Sequence, residues 1–487
     1  MSSAPHNPHH DRRWLILAVL GLAQLMVVLD ATIVNVALPS VQADLGFSDA
    51  SRQWAVTAYA LSFGSLLLLG GRIGDLLGRK RVFVVGLLGF AGASALGGLA
   101  PSFGVLIAAR ALQGAFGAIL APAALSLLST TFTDPAERGK AFGMYGGIAV
   151  AGAAIGLLLG GVLTEYLSWR WCLYVNIGFA VPAAIGALSL LHSQERGGGM
   201  QLDVPGTLTA SLGLLALVYA TSEAATRGWG DPLIVALLAA AVLLLVAFVA
   251  IERRSEHALL PMRVVLDRNR GGSYAGMGIA GAGMFGVFLF LTFYLQDTLG
   301  FSPVETGLAF LPMTPMIMLS SGLASTVLLS RTGPRPLIVA GMLLAAGGMV
   351  IFTQVAVDSS YWTHVLPGLI VTGLGMGLIF APAMNVATAG VGSRDAGVAS
   401  AMVNTAQQVG GSIGTALLNT LATSAVTAYV GARQPNPQVL AEAAVHGYTT
   451  AFWWSAGIFL AGAAVTALLL RPGVPAVDPA AEPVLAH

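Results

Sequence analysis

The sequence predicts an all-α protein that crosses a membrane many times. Three observations carry this. Of 487 residues, 56% are hydrophobic and only 9% are charged, against about 25% charged in an ordinary soluble protein. With so few charges the chain cannot cover itself in water, so its outer surface faces lipid. The apolar residues fall into fourteen stretches, most of them near the length of about 20 residues at which a helix crosses a hydrocarbon core about 30 Å thick. Finally, the basic residues gather on one side of the membrane that this count defines.

The fourteen stretches run approximately over 14–38, 54–71, 82–100, 104–130, 141–164, 171–191, 204–222, 232–251, 272–295, 304–329, 336–356, 361–386, 397–424 and 449–470. An even count places both termini on one face. With the N-terminus in the cytoplasm, eighteen lysines and arginines lie in inside segments and four (Arg52, Arg170, Arg227 and Arg433) in outside loops, with Arg110 inside a span. This asymmetry satisfies the positive-inside rule, and an early miscount by one helix would destroy it. The first thirteen residues are polar and hold His6, His9 and His10; such a histidine tract is read as a tail rather than a metal site. No small-residue cleavage site follows, so the stretch from Trp14 is read as a retained helix.

The organisation read from this pattern is a cytoplasmic tail (1–13), a six-helix half (14–191), two further helices (204–251), a cytoplasmic linker (252–271), a second six-helix half (272–470) and a Pro/Ala-rich disordered tail (471–487). Two sequence echoes support the halves. Gly114–Ala123 in the fourth stretch, ending Leu-Ala-Pro-Ala, matches Leu374–Ala383 in the twelfth, ending Phe-Ala-Pro-Ala. Leu-Leu-Gly-Arg-Lys-Arg before the third stretch matches Leu-Leu-Ser-Arg-Thr-Gly before the eleventh. Both pairs map stretch n onto n+8. Repeated halves mark secondary transporters, whose substrate site lies between the halves near the midplane.

Other classes find little support. Cys172 is the single cysteine, so disulfides within the chain are excluded. A net charge of +1 gives no argument for nucleic acid. No nucleophile–base pairing, metal-ligand spacing or phosphate loop appears, so neither an enzyme, a cofactor nor a metal is expected. Gly281-Ala-Gly283-Met-Phe-Gly286 spells a dinucleotide fingerprint, but that motif needs a preceding strand and an aqueous helix start. The use of arginine over lysine, with only Lys80 and Lys140, points to a GC-rich bacterial genome.

Charges inside a span are costly and need a reason. Asp30 is the one carboxylate well inside a span. It lies roughly 12 Å from the outer end of its helix, and Arg110 roughly 9 Å from the outer end of the fourth, at 1.5 Å per residue. At similar depth in one half they can share a polar cavity. Burial penalises an ionised carboxylate and a nearby arginine favours it. A conformational change that alters their distance would load or release a proton. The competing reading is a fixed ion pair that holds two helices together. Glu223 and Glu305 lie near outer helix ends, where water reaches them. Asn35, Gln113, Asn404 and Gln407 are the polar side chains expected to line the cavity, with cross-helix hydrogen bonding as the alternative for the last two. Gly152, Gly156 and Gly160 form a smooth stripe that suits either a sliding contact between halves or static close packing.

These residues carry a family resemblance over nearly the whole chain. Leu29-Asp-Ala-Thr-Ile-Val-Asn-Val-Ala-Leu-Pro39, Gly71-Arg-Ile-Gly-Asp-Leu-Leu-Gly-Arg-Lys-Arg81 and Arg110-Ala-Leu-Gln-Gly114 resemble signature segments of the fourteen-span drug/proton antiporter family of the major facilitator superfamily (the EmrB/QacA-like multidrug efflux transporters). The resemblance implies a major facilitator fold with two added helices. It implies proton-coupled export of drug-like or antibiotic compounds across the plasma membrane by a monomer, with the proton gradient as energy source. It places Asp30 and Arg110 at proton-coupling positions, and Gly71, Asp75, Gly78, Arg79 and Arg81 in a cytoplasmic gating loop. A dedicated exporter of one metabolite, such as an antibiotic or a siderophore, is the alternative on the same fold. One departure stands out: Leu157 occupies the place of the proline in that family's helix 5 motif, which bears on antiport.

Overall fold

The computed structural model describes residues 12–48, 51–52, 54–132, 135–191, 203–255, 260–388, 396–431, 433–434 and 436–473. The tail residues before Arg12 and after Gly473, and the side chain of Asp75, lie outside the described residues. All described regular structure is helical. Twelve helices among the described residues are long and apolar enough to cross a membrane, and shorter apolar helical stretches occur at Trp54–Leu67 and Ala151–Tyr166. The chain divides into two compact units, Met1–Phe248 with Leu295–Leu311, and Val249–Tyr294 with Pro312–His487.

The first unit holds α1 (Arg13–Leu45), α2 (Trp54–Leu77), α3 (Arg79–Gly98), α4 (Phe103–Thr131), α5 (Pro135–Tyr166), α6 (Trp171–Leu190), α7 (Val204–Arg227) and α8 (Pro232–Glu252). Within it α4 packs on α2 and α3, α1 on α5 and α6, and α3 on α6. The two inserted helices belong to this unit. The Ser211 hydroxyl of α7 donates to the Ser65 carbonyl of α2 at 2.8 Å, and Gly213 lets Leu245 of α8 approach. Val242, Leu243 and Val246 of α8 stay exposed, as an apolar helix in lipid requires.

The second unit holds α9 (Met262–Val265), α10 (Arg268–Phe293), α12 (Met313–Leu323), α13 (Leu329–Thr332), α14 (Pro334–Phe352), α15 (Leu366–Thr388), α16 (Ala396–Gly431) and α17 (Pro437–Leu469), while the short α11 (Pro303–Phe310) packs on α5 in the first. The predicted tenth stretch is therefore broken at Leu311–Pro312. Proline lacks the N–H that would continue the helix, and the Leu311 N–H turns back to the Leu308 carbonyl instead. In this unit α15 packs on α12 and α14, α10 on α16 and α17, and α14 on α17. These five pairings are the five of the first unit under the n+8 mapping. The prolines of the sequence echo, Pro122 and Pro382, both lie inside their helices, α4 and α15.

The last helix of each six carries the same kind of terminus. Carbonyls at a helix end lack intrahelical partners and carry partial negative charge. Lys80 donates its ammonium to the Leu188 carbonyl at 3.0 Å and to that of Leu191, at the end of α6. Arg268 donates to the carbonyls of Leu469 (2.8 Å) and Leu468 at the end of α17.

The stripe of Gly152, Gly156 and Gly160 faces α1 inside the first unit. A Cβ on Gly160 would lie 2.8 Å from the Ile33 carbonyl, and one on Gly156 would lie 3.0 Å from that of Leu29. The stripe is a seat for α1. The neighbouring face of α5 serves α11, where a Cβ on Gly307 would lie 2.5 Å from the Leu157 carbonyl. The rejected fingerprint Gly281–Gly286 has an equivalent use in the second unit: Gly281 receives the Gln407 carbonyl, and Gly286 the Leu418 side chain, of α16.

Replacing Gly156 by leucine is expected to cost at least about 1–3 kcal/mol of overpacking, because the Thr32 hydroxyl and, behind it, the Leu29 backbone of α1 block the new atoms. Gly92→Ala, where nothing lies within 4 Å, is expected to be neutral or slightly stabilising. Thermal unfolding of the two variants in detergent checks the contrast.

Candidate functional site

Asp30 sits near the middle of α1 with no solvent exposure. A buried carboxylate persists only where donors replace water; α4 and α6 bring side chains to it, and α2 and α3 hold those side chains in place. From α4, Arg110 Nη1 donates to Asp30 Oδ2 at 2.6 Å. Gln113, three residues on and so on the same helix face, donates through Nε2 to Asp30 Oδ1 at 2.8 Å. Its Oε1 accepts from Arg110 Nη1 at 2.9 Å. From α6, Asn176 Nδ2 donates to Asp30 Oδ1 at 2.7 Å. From α3, Ser94 Oγ accepts from Gln113 (2.7 Å) and Asn176 (3.2 Å) and donates to the Phe90 carbonyl at 2.8 Å. Ser94, Gln113 and Asn176 are fully buried and Arg110 is 2% exposed.

The guanidinium is held from a further side. Arg110 Nε donates to the Ala55 carbonyl at the start of α2, 3.1 Å away. Its carbon lies 4.6 Å from the centre of the Tyr59 ring, within cation–π range. Three charge-assisted hydrogen bonds therefore converge on Asp30, and such bonds are about twice as strong as neutral ones. The arrangement fits an ionised Asp30. Beyond Arg110, toward the Leu38 end of α1, lies a small cavity lined by Val34, Leu38, Leu106, Trp169 and Cys172. At that same end Asp44 accepts from Arg170 at 2.6 Å and from the Trp169 indole at 2.9 Å, tying α1 to the start of α6.

The structure thus joins Asp30 to Arg110, as their matched depths predicted. Gln113, expected on a cavity wall, is instead wholly enclosed, because its amide bridges the two charges. Asn35 is also buried, and its amide turns back to the Ala31 carbonyl of its own helix at 3.2 Å. Asn404 and Gln407 are half-buried on α16 in the other unit. In the loop motif, Gly78 has φ +94° and allows the sharp junction between α2 and α3; Gly71 lies in α2, and Arg79 and Arg81 start α3. Ser94, Asn176 and Tyr59 were missed as site residues. Asn176 was legible as an uncharged polar residue in the sixth stretch, whereas Ser94 lies among glycines and alanines with no distinguishing signal. No group of three potential metal ligands occurs among the described residues.

Two helical units with the same internal pairings, one carrying a buried ion pair, define a multi-pass membrane protein of duplicated design. The chain belongs to the Major Facilitator Superfamily, whose model matches residues 20–415. It is 54% identical to the puromycin resistance protein pur8 of Streptomyces alboniger over 469 residues, which is 96% of this chain and 93% of that protein. It is 39% identical to the cephamycin export protein CmcT of Amycolatopsis lactamdurans, over 96% of each chain. Among solved structures, an auto-inhibited peptide transporter of the POT family aligns over 94% of this chain and 96% of its own, with a TM-score of 0.71 and 16% identity; this likeness concerns the fold alone. The chain is therefore a multi-pass transporter, and its relatives are transporters rather than enzymes.

Removing one member of a buried pair strands the other charge, at a cost of about 3–5 kcal/mol. Arg110→Met is therefore expected to destabilise the protein strongly. Arg110→Met combined with Asp30→Asn is expected to recover part of the loss, because it leaves no uncompensated charge. Unfolding midpoints of wild type, both single variants and the double variant close the cycle.

Proposed function

We propose that this protein exports antibiotics of amphipathic, drug-like character across the plasma membrane in exchange for protons. The single observation that carries the reading is the carboxylate of Asp30, buried within α1 and held by donors from α4 and α6. A structural role alone does not require a charge there, since well-packed apolar groups are commonly as stable as a buried ion pair. A proton carrier does require one. Loading a proton on Asp30 removes the partner of Arg110 and weakens the hold of α4 and α6 on α1. Cargo identity is supported by the relatives, which are named for resistance to puromycin and for export of cephamycin. In this reading one chain is the working unit and the proton gradient is the sole energy source. The loop of Gly71, Asp75, Gly78, Arg79 and Arg81 serves as the cytoplasmic gate.

Fourteen spans and cytoplasmic termini complete the proposal. The count is supported by the twelve long apolar helices together with the shorter apolar stretches of α2 and α5, and the orientation by the distribution of the basic residues. A second reading narrows the cargo to a single compound. Its support is that each of the two relatives is named for one antibiotic.

Inverted vesicles with an imposed proton gradient are expected to accumulate puromycin, and Asp30→Asn vesicles to fall to the level of protein-free controls. Accumulation that persists in Asp30→Asn would refute the role of Asp30. Movement of puromycin but of no unrelated amphipathic antibiotic would select the narrow reading. For topology, a Cys172→Ser background with Asp231→Cys, between α7 and α8, is expected to react with an impermeant maleimide from outside intact cells. Ala476→Cys is expected to react only after permeabilisation. Protection of Asp231→Cys in intact cells would remove the fourteen-span count.

A further inference from the structure

We infer that Asn176 is the residue through which the protonation state of Asp30 is transmitted to α6: its amide donates to Asp30 and Ser94 while Asp30 is ionised, and turns to accept from Asp30, releasing Ser94 of α3, when Asp30 is neutral. The inference rests on the proton-exchange reading above and names a residue which that reading does not need.

The argument is a count of donors and acceptors. Every side-chain partner of Asp30 is a donor: Arg110 Nη1, Gln113 Nε2 and Asn176 Nδ2. A protonated Asp30 has an O–H to give, and the acceptors nearby are committed. Gln113 Oε1 accepts from Arg110. Ser94 Oγ accepts two bonds and donates its own proton to the Phe90 carbonyl. The exception is Asn176 Oδ1, which is buried and has no hydrogen-bond partner. A buried acceptor left unmade is expensive, so its persistence asks for a second state in which it is used.

Turning the amide by half a rotation supplies that state. The proton arrives at Asp30 Oδ1 and stays there, the carboxylate charge goes from −1 to zero, and the new O–H donates to Asn176 Oδ1. In the same movement Nδ2 leaves both Asp30 and Ser94. The bond from α6 to α3 is thereby lost, the bond from α6 to α1 changes from a charge-assisted one to a neutral and weaker one, and Arg110 keeps its charge without its counter-ion. The titratable and charged groups around Asp30 are Arg110 from α4, Tyr59 from α2 and Cys172 from α6. Those of α3 are Arg79, Lys80 and Arg81 at its far start. Those of α5 include Tyr145, which donates to Gln24 at 2.7 Å, and Glu165, which accepts from the Val304 N–H at 3.1 Å; α11 carries Glu305, occupied in its own cap with Ser302.

The test reads the proton directly. Infrared difference spectra of the purified full-length protein in nanodiscs are recorded against pH, and the Asp30 carboxyl band is assigned by its loss in Asp30→Asn. Asn176→Leu removes the charge-assisted bond of the ionised form and the neutral bond that replaces it, and the first is the stronger. Its Asp30 midpoint is expected to rise by about one pH unit, a roughly tenfold gain in proton affinity. Asn176→Asp keeps the side-chain shape and replaces the donor by a second carboxylate. Its first proton is expected at a pH higher still, and it serves as the deciding variant if Asn176→Leu does not fold. A midpoint in either variant equal to that of wild type would overturn the inference, as a purely structural Asn176 would change protein yield and leave the midpoint alone. If the midpoint moves but wild-type flux ignores the proton gradient, the exchange reading fails while the role of Asn176 stands. If flux needs both gradient and Asp30 but the midpoint does not move, the role of Asn176 alone fails.

Discussion

A negative charge in the middle of a helix bundle has to be supplied with donors, because burial takes it out of bulk water. That constraint on Asp30 organises the first unit. It fixes the facing of α4, which presents Arg110 and Gln113 one turn apart, and of α6, which presents Asn176. It also determines how near α1 must stand to its neighbours. The glycines of α5 let α1 approach from the other side, with the Ile33 carbonyl 2.8 Å from where a Cβ on Gly160 would be. Close backbone approach on one face and a tight hydrogen-bond network on the other hold α1 between them.

Much of this was legible in the sequence because lipid imposes a strict code. A span must be apolar for about 20 residues, so the spans and the isolated charges Asp30 and Arg110 announce themselves. Their pairing followed from depth alone. What lipid does not police was harder to read. Asn176 and Ser94 cost little as uncharged groups, so nothing in composition marks them as ligands of the carboxylate. Hydropathy also ends where lipid ends, while a helix need not. The stretches read as 397–424 and 449–470 belong to α16 and α17, which continue to Gly431 and begin at Pro437. The added turns are tied together by a few polar side chains, with the Tyr429 hydroxyl and Gln438 amide both donating to Glu442. A start signal was present in Asn436-Pro437, an N-cap that accepts from Val439 at 2.9 Å, with proline in the first turn.

The two units share their helix pairings and differ in their charge. Aligning Ala123 with Ala383 sets Ile370 opposite Arg110 and Gly373 opposite Gln113. The scaffold of the repeat survives where packing alone preserves it: α4 meets α2 through Gly114, and α15 meets α12 through Gly373 and Gly377. The proposed proton exchange places its function on one copy of a duplicated frame. The other copy is free to carry amides such as Asn404 and Gln407. Fold therefore speaks for the family, and the network in the first unit for the chemistry.

In the proposed exchange, a lone carboxylate within the spans would also set the electrical character of the cycle. A turnover that carries one proton inward on Asp30 and one neutral molecule outward moves a net charge across the membrane. Such a cycle draws on the membrane potential, worth about 2.3 kcal/mol per 100 mV for each charge, as well as on the difference in pH. Exchange of the same proton for a singly charged cation moves no net charge and is blind to the voltage. The identity of the cargo would then decide more than specificity: it would decide which component of the cell's proton-motive force the protein can use, and how steep a concentration gradient it can build.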